Sequence, residues 1–268
     1  MNAEGAAKSR PVNPYSHPFL VGTQQVAAHC SAGPCDMPIL YDDASQVFSV
    51  WRVPLAAAAA LLPDARLEPL PVFGKAIAGF VAFEYRGTTA GAYNEIGLVV
   101  LARRRKTAPS LWRVLRHPEA EPDAGFYVVN LPVTTALARA AGVEFWGYPK
   151  YVNPIRTVFG RDTVHVELEG ELTFDHRTGV GLTLDAFAVT TFSILRGRLL
   201  HTVIPTHGRV RFGGAGTVVL KRSGDGPTAR TVEALGLDCR RPLAVFRNDQ
   251  LRVVLPYGVA VTQSKRSS

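Results

Sequence analysis

Apolar and polar side chains alternate through most of the second half of this chain. TVHVELEGELTFDH, VGLTLDAFAV, RLLHTVIPTHGRVRFG, GTVVLKRSG and RPLAVFRNDQLRVVLPYGVAV carry that period of two, broken by Gly, Asp and Asn at short intervals. Such a pattern predicts antiparallel strands joined by tight turns. The first half adds QVFSVWRV, β-branched and aromatic in the manner of a strand, and then LAAAAALL, a short helix opened by Pro54 and closed by Pro63. KAIAGFVAFEYRG and YNEIGLVVLARRR read as two strands parted by Gly87-Thr88-Thr89-Ala90-Gly91, and GFYVVNLPV reads as another. The helix TTALARAAGVEF follows, with Thr134 or Thr135 as its N-cap and Gly142 near its C-terminal end. The pattern predicts an α+β chain, mainly antiparallel β, with a few short helices and no internal repeat. Residues 1–37, rich in Ala, Gly, Ser and Pro, read as an N-terminal arm, mobile unless docked, and residues 38–268 as a single domain.

Composition narrows the function. A chain of 268 residues with 47% hydrophobic content can bury a substantial core. Its formal charge of +8 suits acidic partners or an anionic metabolite and does not choose between them. The basic run Arg103-Arg104-Arg105-Lys106 has no alternating aromatics and directly follows a strand, so it reads as a solvated loop and no nucleic-acid partner is expected. No segment approaches the ~20 apolar residues of a membrane span, and the N-terminus, with Glu4, Lys8 and Arg10, has no continuous apolar stretch. The expected location is cytoplasmic, away from membranes. Cys30, Cys35 and Cys239 read as reduced thiols, with a Cys30 to Cys35 bridge left open. Gly213-Gly214-Ala215-Gly216 lacks the Lys-Ser/Thr of a phosphate loop and reads as a turn, and His165, His176, His201 and His207 show no metal spacing. No cofactor or metal is expected.

The chemistry gathers at Val143-Glu144-Phe145-Trp146-Gly147-Tyr148-Pro149-Lys150-Tyr151-Val152. Pro149 fixes its own φ and holds Tyr148 extended, so Lys150 sits in a sharp bend among aromatic rings. An ammonium among such rings loses hydration, which favours the neutral amine, a nucleophile able to condense with a ketone. The alternative is a lysine that snorkels out of an aromatic turn. Glu95 is a carboxylate inside an otherwise apolar strand, and a buried carboxylate must be paired, protonated or catalytic. Trp146 and Tyr148 read first as core residues, a role that their position beside Lys150 makes compatible with walling a substrate site.

EFWGYPKYV, preceded by YNEIGLVV and GFYVVNLPVTTALARAAG, resembles the core of the acetoacetate decarboxylase superfamily over roughly Pro38 to Tyr257. The resemblance implies a closed, cone-like antiparallel barrel whose interior holds a Schiff-base lysine, matched by Lys150, and a paired glutamate, matched by Glu95. The chain departs from the family pattern at three positions. Tyr151 stands where the decarboxylases have a second lysine, and an ungapped match puts Ala44 and Phe80 in place of an early arginine and a second acidic residue, with Arg52 and Glu84 nearby. Trp146, Tyr148, Tyr151 and Phe80 are the expected substrate-binding residues. The implied function is a lyase that forms an imine between Lys150 and a small oxo acid, leaning to aldol addition and dehydration of a 2-oxo acid because a carboxylate-expelling set is missing. True 3-oxo acid decarboxylation is the first alternative, and a small-molecule-binding barrel without turnover the second. The expected partners are the oxo acid and further copies of the chain in a homo-oligomer.

Overall fold

The computed structural model describes residues 15–179, 181–213 and 217–261. The one-turn helix α1 (Pro18–Val21) and the small hairpin β1 (His29–Cys30) and β2 (Gly33–Pro34) lead into the long strand β3 (Ile39–Val53). Helix α2 (Leu55–Ala59) and strands β4 (Leu67–Pro69), β5 (Ala76–Thr88) and β6 (Tyr93–Arg104) follow. Helix α3 (Leu111–Arg116), strand β7 (Ala124–Asn130) and helix α4 (Ala136–Ala141) then bring the chain to a π-turn, Gly142–Trp146. The remainder comprises β8 (Ile155–Phe159), β9 (Thr163–Leu168), β10 (Leu172–Arg177), β11 (Gly181–Asp185), β12 (Val189–Leu195), β13 (Arg198–Ile204), β14 (Thr206–His207), β15 (Arg209–Gly213), β16 (Thr217–Arg222), helix α5 (Pro227–Leu235), β17 (Ala244–Leu255) and β18 (Val259–Ala260). No described helix is long and apolar enough to cross a membrane.

The main sheet runs β11-β15-β17-β3-β5-β6-β7-β12-β13-β18, antiparallel except where β7 meets β12. The mainly antiparallel β architecture with a few short helices is the one expected, but among the described residues no ladder joins β11 to β18, so the sheet is not seen to close into the expected barrel. The two flanks nevertheless meet at Pro205. β13 ends there and the chain turns into β14, which pairs with β17, while Val254 N–H donates to the Pro205 carbonyl at 3.1 Å. The sheet thereby folds its two flanks around a cavity and leaves its terminal strands apart.

Strand alternation gives this sheet two faces. One face packs Trp51, Ala78, Phe80, Ile96 and Leu98 against the smaller sheet β16-β10-β9-β8 and against Val232 and Leu235 of α5. There Phe80 stacks on Phe174 with centroids 4.7 Å apart and planes 17° apart. The other face lines the cavity. Over its described part the arm is docked: Leu20, Cys35 and Met37 are buried, and Gln25 donates to the Pro38 carbonyl at 2.9 Å. Residues 1–14, and all of the glycine turn beyond Gly213, lie outside the described residues.

Candidate active site

One extended segment brings Glu95 and Lys150 together across 55 residues of sequence. Val133 bridges to Glu95 on one side and to Val152 on the other. Ile96 N–H donates to the Pro132 carbonyl at 3.0 Å, Val133 N–H to the Tyr151 carbonyl at 2.9 Å, and Leu131 N–H to the Pro149 carbonyl at 3.2 Å. The strand bearing the carboxylate and the turn bearing the lysine are thus fastened to the same three residues.

The lysine turn has a local cause. Thr135 caps α4 by accepting from Ala138 N–H at 3.3 Å, and the helix then widens into the π-turn, a feature common at functional sites. Gly147 ends it at φ +69°, and a Cβ there would run into the Ile194 carbonyl, so both conformation and closeness demand glycine. Pro149 then tightens the bend, with Lys150 N–H donating to the Tyr148 carbonyl at 2.7 Å in a three-residue turn. Gly142 has ordinary helical angles, yet a Cβ on it would lie 2.5 Å from Lys150 Cε and nearer still to Cδ. Its missing side chain makes the channel through which the lysine stem passes. Ser31 of the arm braces the same turn by donating from its N–H and hydroxyl to Glu144, which holds that carboxyl below its usual range.

Lys150 Nζ donates to Glu95 Oε2 at 2.6 Å, and both side chains are more than nine-tenths buried. They border a cavity of about 140 Å³ walled by Tyr41, Phe48, Val81, Phe83, Tyr85, Phe126, Val128 and Tyr148, among others. A cavity of roughly 150 Å³ holds benzene, so this one suits a compact organic molecule. Tyrosines crowd the charged pair. Lys150 Nζ lies 5.6 Å from the centroid of Tyr93, whose hydroxyl shares a 2.9 Å hydrogen bond with that of Tyr41. Burial, reinforced by the Glu95 charge, pushes the Tyr41 and Tyr85 hydroxyls up, and burial and the neighbouring Tyr41 do the same to Tyr93. Tyr148, hydrogen-bonded to Thr191 Oγ1 at 2.8 Å, is pushed up to about 12 by burial. The phenols therefore stay neutral through the physiological range, as donors or acceptors rather than charges.

Of the six site residues expected from the sequence, Lys150, Glu95 and Tyr148 meet at the cavity. Trp146 stands behind it, stacked on Tyr148 and donating its indole N–H to the Pro256 carbonyl at 2.8 Å. Tyr151 is not among the residues that wall the cavity. Its hydroxyl is held by Glu171 and Thr228, each at 2.7 Å. Phe80 is on the packed face. Glu95 pairs across the sheet with Phe83, which shares its face, whereas Phe80 pairs with Leu98. Ala44 pairs with Tyr85 and Leu251, both cavity residues, so an alanine occupies the strand position from which a longer side chain would reach the site. Arg52 is exposed and donates to the Phe73 carbonyl, and Glu84 is paired with Arg86, so neither substitutes. Sequence reasoning missed Tyr41, Tyr85 and Tyr93. Two of them were within reach of its logic: Tyr93 shares the parity of Glu95, and Tyr85 lies directly across from Tyr93.

The described residues include no group of three His, Cys, Asp or Glu able to hold a metal, and Cys30, Cys35 and Cys239 are free thiols. Burial, first of all, raises the Cys35 thiol to about 11.

No curated protein sequence matches this chain. Solved structures do match its fold. An acetoacetate decarboxylase from Legionella pneumophila subsp. pneumophila str. Philadelphia 1 superposes with a TM-score of 0.62 at 15% identity, covering 85% of this chain and 88% of that one. An acetoacetate decarboxylase-like enzyme from Sphingomonas wittichii RW1 gives 0.57 at 14% identity over 85% and 95%. The enduracididine biosynthesis enzyme MppR, complexed with pyruvate, gives 0.55 at 15% identity over 90% and 99%. The family model of acetoacetate decarboxylase matches residues 28–185, a span that holds β3 through the lysine turn and hence both Glu95 and Lys150. With more than half of the sequence matched and the fold shared over most of its length, the chain belongs to the acetoacetate decarboxylase family.

Proposed function

We propose that the protein is an imine-forming lyase that acts on a small carbonyl compound through Lys150, by aldol addition and dehydration rather than release of CO2. The buried 2.6 Å pair of Lys150 and Glu95 at the wall of an apolar cavity carries this reading. Glu95 takes a proton from Lys150, the free amine adds to the carbonyl carbon, and Glu95 returns the proton to the departing oxygen as water leaves. The resulting iminium draws electrons from its neighbouring C–H bond. Glu95 accepts that proton, and the enamine adds through carbon to the carbonyl of an aldehyde. Loss of the new hydroxyl as water and hydrolysis of the imine release the product and restore the amine. Tyr148 and Tyr85, neutral phenols on the wall, are suited to holding the substrate's oxygen.

Decarboxylation is disfavoured because a carboxylate must be gripped before it is expelled, and Lys150 is the sole cation among the described residues lining the cavity. The test is borohydride reduction in the presence of a panel of carbonyl compounds, pyruvate among them, followed by peptide mass analysis. A mass increment on Lys150 is expected with at least one of them. Absence of any adduct would favour a binding protein without turnover.

A further inference from the structure

We infer that the site is built for an uncharged carbonyl compound bearing a hydrocarbon substituent, in place of the oxo acid expected from the sequence. The inference deepens the imine-forming reading and rests on it. Among the described residues lining the cavity, Lys150 and Glu95 alone carry formal charge, and they face each other at 2.6 Å. Conversion of Lys150 to an iminium keeps the positive charge on nitrogen, so Glu95 still balances it. A substrate carboxylate would add a second negative charge with no cation left to receive it. Arginines close by in sequence do not supply one. Arg86, which follows the lining residue Tyr85, is taken up by Asp43, Glu84 and Ser45, and Arg252, between Leu251 and Val253, by Asp42. Both leave their strands on the side opposite their lining neighbours, as alternation requires. An unpaired carboxylate is far costlier to bury than an alkyl group of the same shape.

The rest of the wall has the complementary character. Phe48, Phe126, Val81, Val99, Leu251 and Val253 present hydrocarbon to the cavity. The polar groups beside them are hydroxyls and the amide of Gln46, which suit the oxygen of a ketone, an aldehyde or an alcohol. The covalent step balances without an acid group. Lys150 Nζ bonds to the carbonyl carbon as the oxygen leaves as water, Glu95 removes a proton from the adjacent carbon, and the enamine carbon bonds to a second neutral carbonyl.

The test compares isosteres on the intact protein. In 4-methylpentan-2-one an isopropyl group replaces the carboxylate of acetoacetate, and in 3-methylbutan-2-one the same group replaces that of pyruvate. Half-saturating concentrations for borohydride trapping on Lys150 are measured for all four and normalised to trapping on a free alkylamine, which removes differences in carbonyl reactivity. Each neutral ketone is expected to saturate at about a hundredfold lower concentration than its acid, the scale set by one uncompensated buried charge. Equal saturation, or preference for the acids, overturns this inference and leaves the imine reading standing. No adduct with any of the four overturns both.

Discussion

The two faces of strands β5 and β6 are built from alternate residues of the same stretches, yet they end as opposites. On one face, Phe80, Ile96 and Leu98 are fully buried against the second sheet. On the other, Val81, Phe83 and Tyr85, with Glu95 across from Phe83 and Val99 on the same face, surround a space. Packing density is a property of what a face meets, not of the strand that bears it. The first face meets a sheet and a helix of matching shape. The second bends around on itself at Pro205 and is left with a void, which a charged pair at its wall turns from a packing defect into a place for chemistry.

The largest break in this comparison comes from Lys150→Ala, which should abolish borohydride-trapped adducts entirely while the protein remains folded. Residual adduct at another lysine, read by peptide mass, would move the chemistry elsewhere. Glu95→Gln keeps the shape and loses the proton carrier, so kcat should fall by roughly 10²- to 10⁴-fold. An unchanged kcat would reduce Glu95 to a structural partner of Lys150.

On the packed face, Phe80→Ala should destabilise the fold by about 3–5 kcal/mol in urea titration and leave trapping on Lys150 intact. Phe126→Ala, at the cavity, should cost clearly less, because its ring already borders empty space. Equal costs would mean that the two faces are packed alike. Gly142→Ala should slow imine formation by up to about 10²-fold through displacement of the lysine stem, with thermal stability little changed. A normal rate would show that the stem can take another path.

The faces also differ in titration, since Tyr41, Tyr85, Tyr93 and Tyr148 all belong to the cavity side. Each keeps its proton more tightly when folded than when unfolded. Their contribution is complete below pH ~10, where both states are protonated, and is lost as pH rises towards the folded values. Tyr148 alone, raised to about 12, is worth roughly 2–3 kcal/mol over that range. Urea midpoints measured between pH 9 and 12 should therefore drop, and Tyr148→Phe should flatten part of the drop.

The period of two located most strands because half-buried strands must alternate, and the motif around Lys150 located the turn because Gly147 and Pro149 each have a steric reason to be there. Alternation alone could not say which of two apolar faces would be hollow. Phe80 was assigned to the site by its place in the family pattern, when its parity with respect to Glu95 excludes it. Helix α5 went unseen although Pro227 at its start and Gly236 in the left-handed region at its end are the ordinary signals, because the face that it buries includes Thr228 and Thr231 beside Ala229, Val232 and Leu235. How the flanks of the sheet meet depends on β14 pairing with β17, a contact between distant segments that no local pattern encodes.

Fastening Glu95 and Lys150 to residues 131–133 has a consequence for how the molecule breathes. Because the two groups share their anchor, backbone motions that separate one from the other must break into the set of amide hydrogen bonds made by Ile96, Leu131 and Val133. These three amides should behave as one cooperative opening unit in hydrogen exchange, with common protection, while the distant edge strand β11, exposed along its whole length, exchanges independently. Geometry at the site is then insulated from fraying at the rim.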